Sequence, residues 1–270
     1  MYIVADIGGT KTRIAGSNDL ERFGDPAIVD TPQDYETGIK LVCDTARKIA
    51  GDTSIEAFAA GVPGALSDDG RKIHGARHLS LWKERELAKD VEKALSTRVY
   101  LENDTAQVGL GEAVYGAGKG VAVAVYITVS TGVNGVRIID GAVDRGRAEI
   151  GGQYLQVADS PKSLEDLISG SAISEKYGVH PKEIEKDSPV WEELAKITAI
   201  GVHNSILHWS PDRVILGGSM FNEIGIPVDQ VQAHVRNIMK KFPQVPEIVH
   251  SSLGEVGGLW GGLARLKRRS

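Results

Sequence analysis

Cysteine is nearly absent from this chain. Cys43 is the only one in 270 residues, which excludes an internal disulfide and any cysteine-rich zinc site. It falls on the apolar face of an expected helix, so it reads as a packing residue in a reduced, cytoplasmic setting. No apolar run reaches the ~20 residues that crossing a bilayer requires. Cationic excess is also missing: the net charge of −5 offers nothing to a nucleic acid or a membrane surface. The closing Lys267-Arg268-Arg269 reads as a solvated tail. Met1 leads at once into strand residues, so neither a signal peptide nor an amino-terminal extension is expected.

Several chemical signatures are missing too. No segment matches G-x-x-x-x-G-K-[ST], and no G-x-G-x-x-G opens a helix after a strand. There is no H-E-x-x-H pair and no G-x-S-x-G elbow. His74 and His78 lie near each other without a supporting cluster, so neither is read as a metal ligand. What remains is ordinary for a soluble globular chain, with 41% hydrophobic and 25% charged residues. The length suits one large or two medium domains.

The most informative stretch is Ile3–Arg13. An apolar strand carries one acid, Asp6, and runs into the turn Gly8-Gly9-Thr10. A carboxylate buried in a strand is costly without a partner. Glycines in the turn let backbone N–H groups approach an anion closely. Together they point to an acid for a metal ion, held directly or through water, beside a cradle for nucleotide phosphate. The plainer alternative is a hairpin whose glycines supply positive φ angles. An echo follows at residues 121–139, where an apolar strand, the turn Ser130-Thr131-Gly132-Val133-Asn134-Gly135 and a second strand repeat the pattern. Two such hairpins facing each other would hold a triphosphate from both sides, and a duplicated domain is the simplest cause.

Strand-like and helical segments alternate, which favours an α/β fold. Helices are expected over 33–50, 84–95, 105–114, 163–177, 190–208, 227–241 and 255–268, with strands over 55–62, 99–101 and 214–216. Gly116–Gly120 is the best boundary. It gives domains of 1–115 and 116–254, with the helix at about 255–270 able to pack back on the first.

Asn103-Asp104 ends a strand and starts a helix, the edge at which open α/β sheets bind ligands. Asp104 is suited to accept a proton from a hydroxyl, with Asn103 orienting the substrate; helix capping is the rival role. Glu149 sits in a glycine-flanked loop and suits vicinal sugar hydroxyls. Glu165 opens a helix, where an acid is favoured in any case. Gly217-Gly218 follows an apolar strand and could lie beneath a nucleotide base or ribose.

These segments, in this order and across essentially the whole chain, resemble the ROK family of sugar kinases and sugar-responsive repressors, its glucokinases most closely. The resemblance implies two ribonuclease-H-like domains, of the actin and hexokinase type, flanking a cleft. It implies a first phosphate motif at Asp6, Gly8, Gly9, Thr10, Lys11 and Thr12, and a second that includes Thr131 and Gly132. It assigns the catalytic base to Asp104, sugar contacts to Gly64, Asn103, Asp104, Glu149 and Glu165, and adenosine contacts to Gly217 and Gly218. Gly61-Val62-Pro63-Gly64 and Leu79 to Trp82 resemble the sugar-side loop, with His78 where Asn is often found. The family histidine after Glu-Ile-Gly is Gly152 here, and the family Cys/His zinc cluster is missing, so no structural zinc is expected. Gln153 is the candidate substitute for that histidine.

The resemblance implies ATP- and Mg²⁺-dependent phosphorylation of a hexose, glucose at its 6-hydroxyl, with Asp6 near the metal. Fructose, mannose or N-acetylmannosamine as acceptor, and polyphosphate as donor, remain alternatives. A sugar sensor without catalysis is the alternative of another class. A homodimer is what the family suggests.

Overall fold

The computed structural model describes residues 1–75, 79–144, 150–157, 159–222 and 225–268. The chain forms two compact units. The first is Met1–Val114 with the segment from Leu253 onward; the second is Tyr115–Ser252.

The first unit opens with β1 (Tyr2–Ile7), β2 (Lys11–Ser17) and β3 (Ala27–Asp30), then α1 (Tyr35–Ala50) and β4 (Ala57–Val62). A small antiparallel pair follows, β5 (Ala65–Leu66) and β6 (Ile73–Gly75), then a 3₁₀ turn at Ser80–Trp82. α2 (Leu87–Leu95), β7 (Arg98–Asn103) and α3 (Asp104–Val114) complete the run. The sheet order is β3-β2-β1-β4-β7, with the first three strands antiparallel and β4 and β7 parallel to β1. β4 is buried along its whole length, as a central parallel strand covered on both faces must be.

Asp34 starts α1 by accepting the Thr37 N–H at 2.9 Å, and Ile39, Val42, Cys43 and Ala46 form its buried face. Burial pushes the Cys43 thiol up to about 11, which suits a packing role. Trp82 is fully buried, edge-on to Tyr35, with its indole N–H donating to the Pro32 carbonyl. It is therefore a core residue of this unit.

The second unit repeats the plan. β8 (Val123–Val129), β9 (Val133–Ile139) and β10 (Ala142–Val143) are antiparallel. A 3₁₀ turn at Ile150–Gly152 and the pair β11 (Tyr154–Gln156) and β12 (Lys162–Ser163) lead to α4 (Leu164–Ile168), α5 (Gly170–Tyr177) and α6 (Pro189–Trp209). β13 (Arg213–Gly217), α7 (Ser219–Asn222), α8 (Val228–Ile238) and β14 (Glu247–His250) follow. The order β10-β9-β8-β13-β14 has the same strand senses as the first sheet, so the echo seen in the two hairpins extends to whole sheets.

Several elements depart from expectation, among them the short strands β3, β5, β6 and β10–β12. The helix anticipated over 163–177 is two, because Ser169 is extended (ψ 152°) and accepts the Ala172 N–H as N-cap of α5. The helix from 227 stops at Ile238 rather than 241. β14 was not anticipated; four residues at a sheet edge carry too little periodicity to be read. Among the described residues no helix is long and apolar enough to cross a membrane.

Candidate active site

In the first unit, strand register lines up the carboxyl ends of three parallel strands. Asp6 on β1 lies opposite Gly61 on β4, and Gly61 lies opposite Glu102 on β7. Asp6, the Gly61–Gly64 turn and Asn103-Asp104 thus share one sheet edge, where α/β folds bind ligands. Asp6 is half-buried. Burial and then the nearby Asp104 push its carboxyl up to about 6, and Arg13 draws it back down. Arg13 is its direct cross-strand partner and is ion-paired with Glu255. No hydrogen bond reaches the Asp6 carboxylate among the described residues. The C-terminal helix, Gly257–Lys267, begins against it: a methyl group at Gly258 would lie 2.7 Å from Asp6 Cγ. The positive end of that helix partly offsets the buried charge.

The turn after Asp6 is braced by its neighbours. Gly8 N–H donates to the Lys11 carbonyl at 2.9 Å, Gln33 to the Gly9 carbonyl at 3.0 Å and Thr31 N–H to the Thr10 carbonyl at 2.8 Å. The Gly9 and Thr10 N–H groups form no hydrogen bond among the described residues. Two braced, unpaired amides beside an acid fit a phosphate with its cation. Lys11 is exposed and pairs with Asp30. Thr12 is buried, its hydroxyl bonded to Thr31 at 2.8 Å, so its side chain offers nothing to a ligand.

At β7 the capping role falls on Asn103. Its Oδ1 accepts the Ala106 N–H at 3.1 Å, and its Nδ2 donates to the Gly64 carbonyl at 3.0 Å. Gly64 has φ +88°, a conformation that glycine adopts without strain. Asp104 is the first residue of α3 and is half-buried. Burial raises its carboxyl above the ordinary range, while the Thr105 N–H at 2.7 Å and the Asn103 side chain pull the other way.

Sequence reading had not singled out Gln107, one helical turn beyond Asp104. It is fully buried, and its Nε2 donates to the Ala5 and Gly258 carbonyls at 2.8 and 2.7 Å. It thereby ties the Asp6 strand, the Asp104 helix and the C-terminal helix together. Arg13 was also missed, since it reads as an ordinary strand residue.

In the second unit the turn after β8 is built in the same way. Ser130 N–H donates to the Gly132 carbonyl at 2.9 Å, and the Thr131 and Gly132 N–H groups form no hydrogen bond among the described residues. Gly217 lies opposite Thr128 in register, so Gly217-Gly218 ends at the same sheet edge. A methyl group at Gly218 (φ +91°) would lie 2.3 Å from the Val129 carbonyl oxygen, which gives this glycine a packing reason. Glu165 Oε2 accepts the Val133 N–H at 2.9 Å. Gln153 Oε1 accepts from Asn204 on α6 at 3.0 Å, which fixes the direction of its amide. Glu149 and His78 lie outside the described residues. His74 pairs with Glu84 at 3.0 Å, and no group of three or more metal-ligating side chains occurs among the described residues.

Two mixed sheets of identical strand order, each opening with a glycine-turn hairpin and backed by helices, define an actin/hexokinase-type α/β protein. The ROK family model matches residues 2–269, and the chain belongs to that family. The ROK hexokinase of Thermus thermophilus has the same fold, with a TM-score of 0.85 at 23% identity over 98% of both chains. A ROK family glucokinase of Streptomyces griseus, solved with glucose and AMPPNP, gives 0.81 at 24% identity over 100% of this chain and 99% of that one. The N-acetyl-D-glucosamine kinase of Photobacterium profundum is 24% identical over 97% of each chain.

Proposed function

We propose that this protein transfers the γ-phosphoryl group of ATP to a hexose in a Mg²⁺-dependent reaction, with glucose at its 6-hydroxyl as the acceptor. One observation carries the reading. Asn103 caps α3, which leaves the half-buried Asp104 carboxylate, beside Asp6 at one sheet edge, available for proton transfer. The family membership and the names of the relatives support sugar phosphorylation, while those relatives act on different hexoses.

In the proposed step, O6 forms a bond to the γ-phosphorus as the β,γ-bridging P–O bond breaks. The electron pair leaves on ADP, and the O6 proton passes to Asp104. Burial raises the affinity of Asp104 for that proton, and a positioned base contributes typically ~10²–10⁴-fold in rate. Asn103 fixes the Gly64 carbonyl and the start of α3, so the substrate meets a preset edge. The unpaired amides of Gly9 and Thr10, and those of Thr131 and Gly132, would receive phosphate oxygens. Bound Mg²⁺ would neutralise charge on the transferring phosphoryl group, and the unbonded Asp6 carboxylate is the residue suited to hold it, directly or through water. Gly217 and Gly218 would lie under the adenosine, Glu149 and Glu165 would take sugar hydroxyls, and the reaction would run in the cytoplasm.

The test is sugar-phosphate formation with Mg²⁺ and either ATP, where ADP release is followed as well, or polyphosphate, against a panel of glucose, fructose, mannose, N-acetylmannosamine and N-acetylglucosamine. Turnover of glucose above the others supports the proposal. Turnover of another hexose alone moves the acceptor, and turnover only with polyphosphate moves the donor.

A further inference from the structure

We infer that Glu165 is a positioning residue for the second phosphate turn, and that it reaches that turn through the break between α4 and α5. The inference rests on reading Ser130–Val133 as a donor site.

Three consecutive hydrogen bonds join this break to the turn. Glu165 Oε2 accepts the Val133 N–H at 2.9 Å. Gly170 N–H donates to the Ser130 carbonyl at 2.7 Å, and the Ser171 hydroxyl donates to the Thr131 carbonyl at 3.0 Å. The grip takes the carbonyls of Ser130 and Thr131 and one amide, and it leaves the Thr131 and Gly132 amides unpaired. It therefore holds the turn in a shape that keeps its donors open, which is what an anion site needs before its ligand arrives.

The local chain is built for this contact. A continuous helix through Ser169 would carry the Gly170 N–H back to a helical carbonyl four residues earlier. The extended Ser169 releases that amide for Ser130. Gly132 is not in the left-handed region, so backbone freedom does not explain it. Space does: a methyl group there would lie 2.9 Å from Glu165 Oε2, with only the Glu165 carboxyl carbon also close, at 3.7 Å. Glycine at 132 admits the carboxylate. The other oxygen, Oε1, has no partner among the described residues and remains for a hydroxyl of the acceptor. One half-buried carboxylate thus serves both sides of the proposed reaction.

Glu165→Gln keeps an oxygen able to accept the Val133 N–H, whereas Glu165→Ala removes it. Gly132→Ala displaces the carboxylate while leaving it in the chain. Two readouts separate positioning from sugar contact: hydrogen exchange of the Val133 amide, and the affinity of the sugar-free protein for Mg²⁺-AMPPNP. Exchange at Val133 should quicken at least ~10-fold in Glu165→Ala and Gly132→Ala and stay near the parent value in Glu165→Gln. Nucleotide affinity should fall about 10-fold in Glu165→Ala and be retained in Glu165→Gln. A Glu165→Ala protein with unchanged Val133 exchange and unchanged nucleotide affinity, altered only in KM for sugar, would overturn the inference. Failure of the donor-site reading looks different. The parent protein would then bind no nucleotide, and Val133 exchange would still report whether Glu165 holds the turn.

Discussion

Asp6 and Asp104 stand at the end of one sheet, and burial raises both above the ordinary carboxylate range. The folded value for Asp6 is about 6 against 3.8 for a free side chain, so the native state holds its proton more tightly than the unfolded chain does. The associated stability is complete below about pH 4 and is lost as pH rises through about 6. Asp6→Asn should therefore raise the Tm at pH 7.5, with the gain shrinking as pH falls toward 4, while activity is lost. Thermal unfolding across that range checks this, and a Tm lowered at pH 7.5 would contradict it. The acid, its glycine turn and the Asn103-Asp104 pair were legible because each is a local pattern. The division of labour between Asn103 and Asp104 was not, since either residue type caps a helix. Nor was the tie between Gln153 and Asn204, which joins side chains 51 positions apart.

At the scale of elements, the contact between α3 and the C-terminal helix sets the edge that holds both acids. The helices meet backbone to backbone. A methyl group at Gly261 would lie 1.7 Å from the Gln107 carbonyl oxygen, and one at Gly111 would lie 2.5 Å from that of Gly257. Backbone cannot yield as a side-chain tip can, so Gly261→Ala should cost roughly 1–3 kcal/mol or more, as overpacked cores do. Gly24→Ala, in open space, should stay within about 0.5 kcal/mol. Urea unfolding of the two variants compares them directly, and equal midpoints would refute the packing account. The sequence showed a glycine-rich closing helix but not the reason for its glycines, because that reason lies on α3. It also hid the break at Ser169, where a polar cap interrupts an otherwise helical pattern.

The whole molecule is one plan used twice, with the first unit completed by the last residues of the chain. In each unit the opening hairpin and a later buried strand could be read in advance, whereas the outer strands β3, β10 and β14 could not. The discontinuity of the first unit has a consequence for stability. Leu253 N–H donates to the buried Glu112 at 2.8 Å, and Leu259 and Leu263 are fully buried. A chain ending at Ser252 should lose amide protection in β1 and β4 while β8 and β13 keep theirs. Uniform loss, or none, would contradict independent cores.

The central claim is that this sheet edge phosphorylates a sugar with Asp104 as its base. ADP release with ATP, Mg²⁺ and glucose, compared between the parent and Asp104→Asn, tests it most directly. The account predicts turnover in the parent and a loss of at least ~10²-fold in the variant, with unfolding still cooperative. Turnover untouched by the substitution would contradict it, as would no turnover with any hexose and either donor.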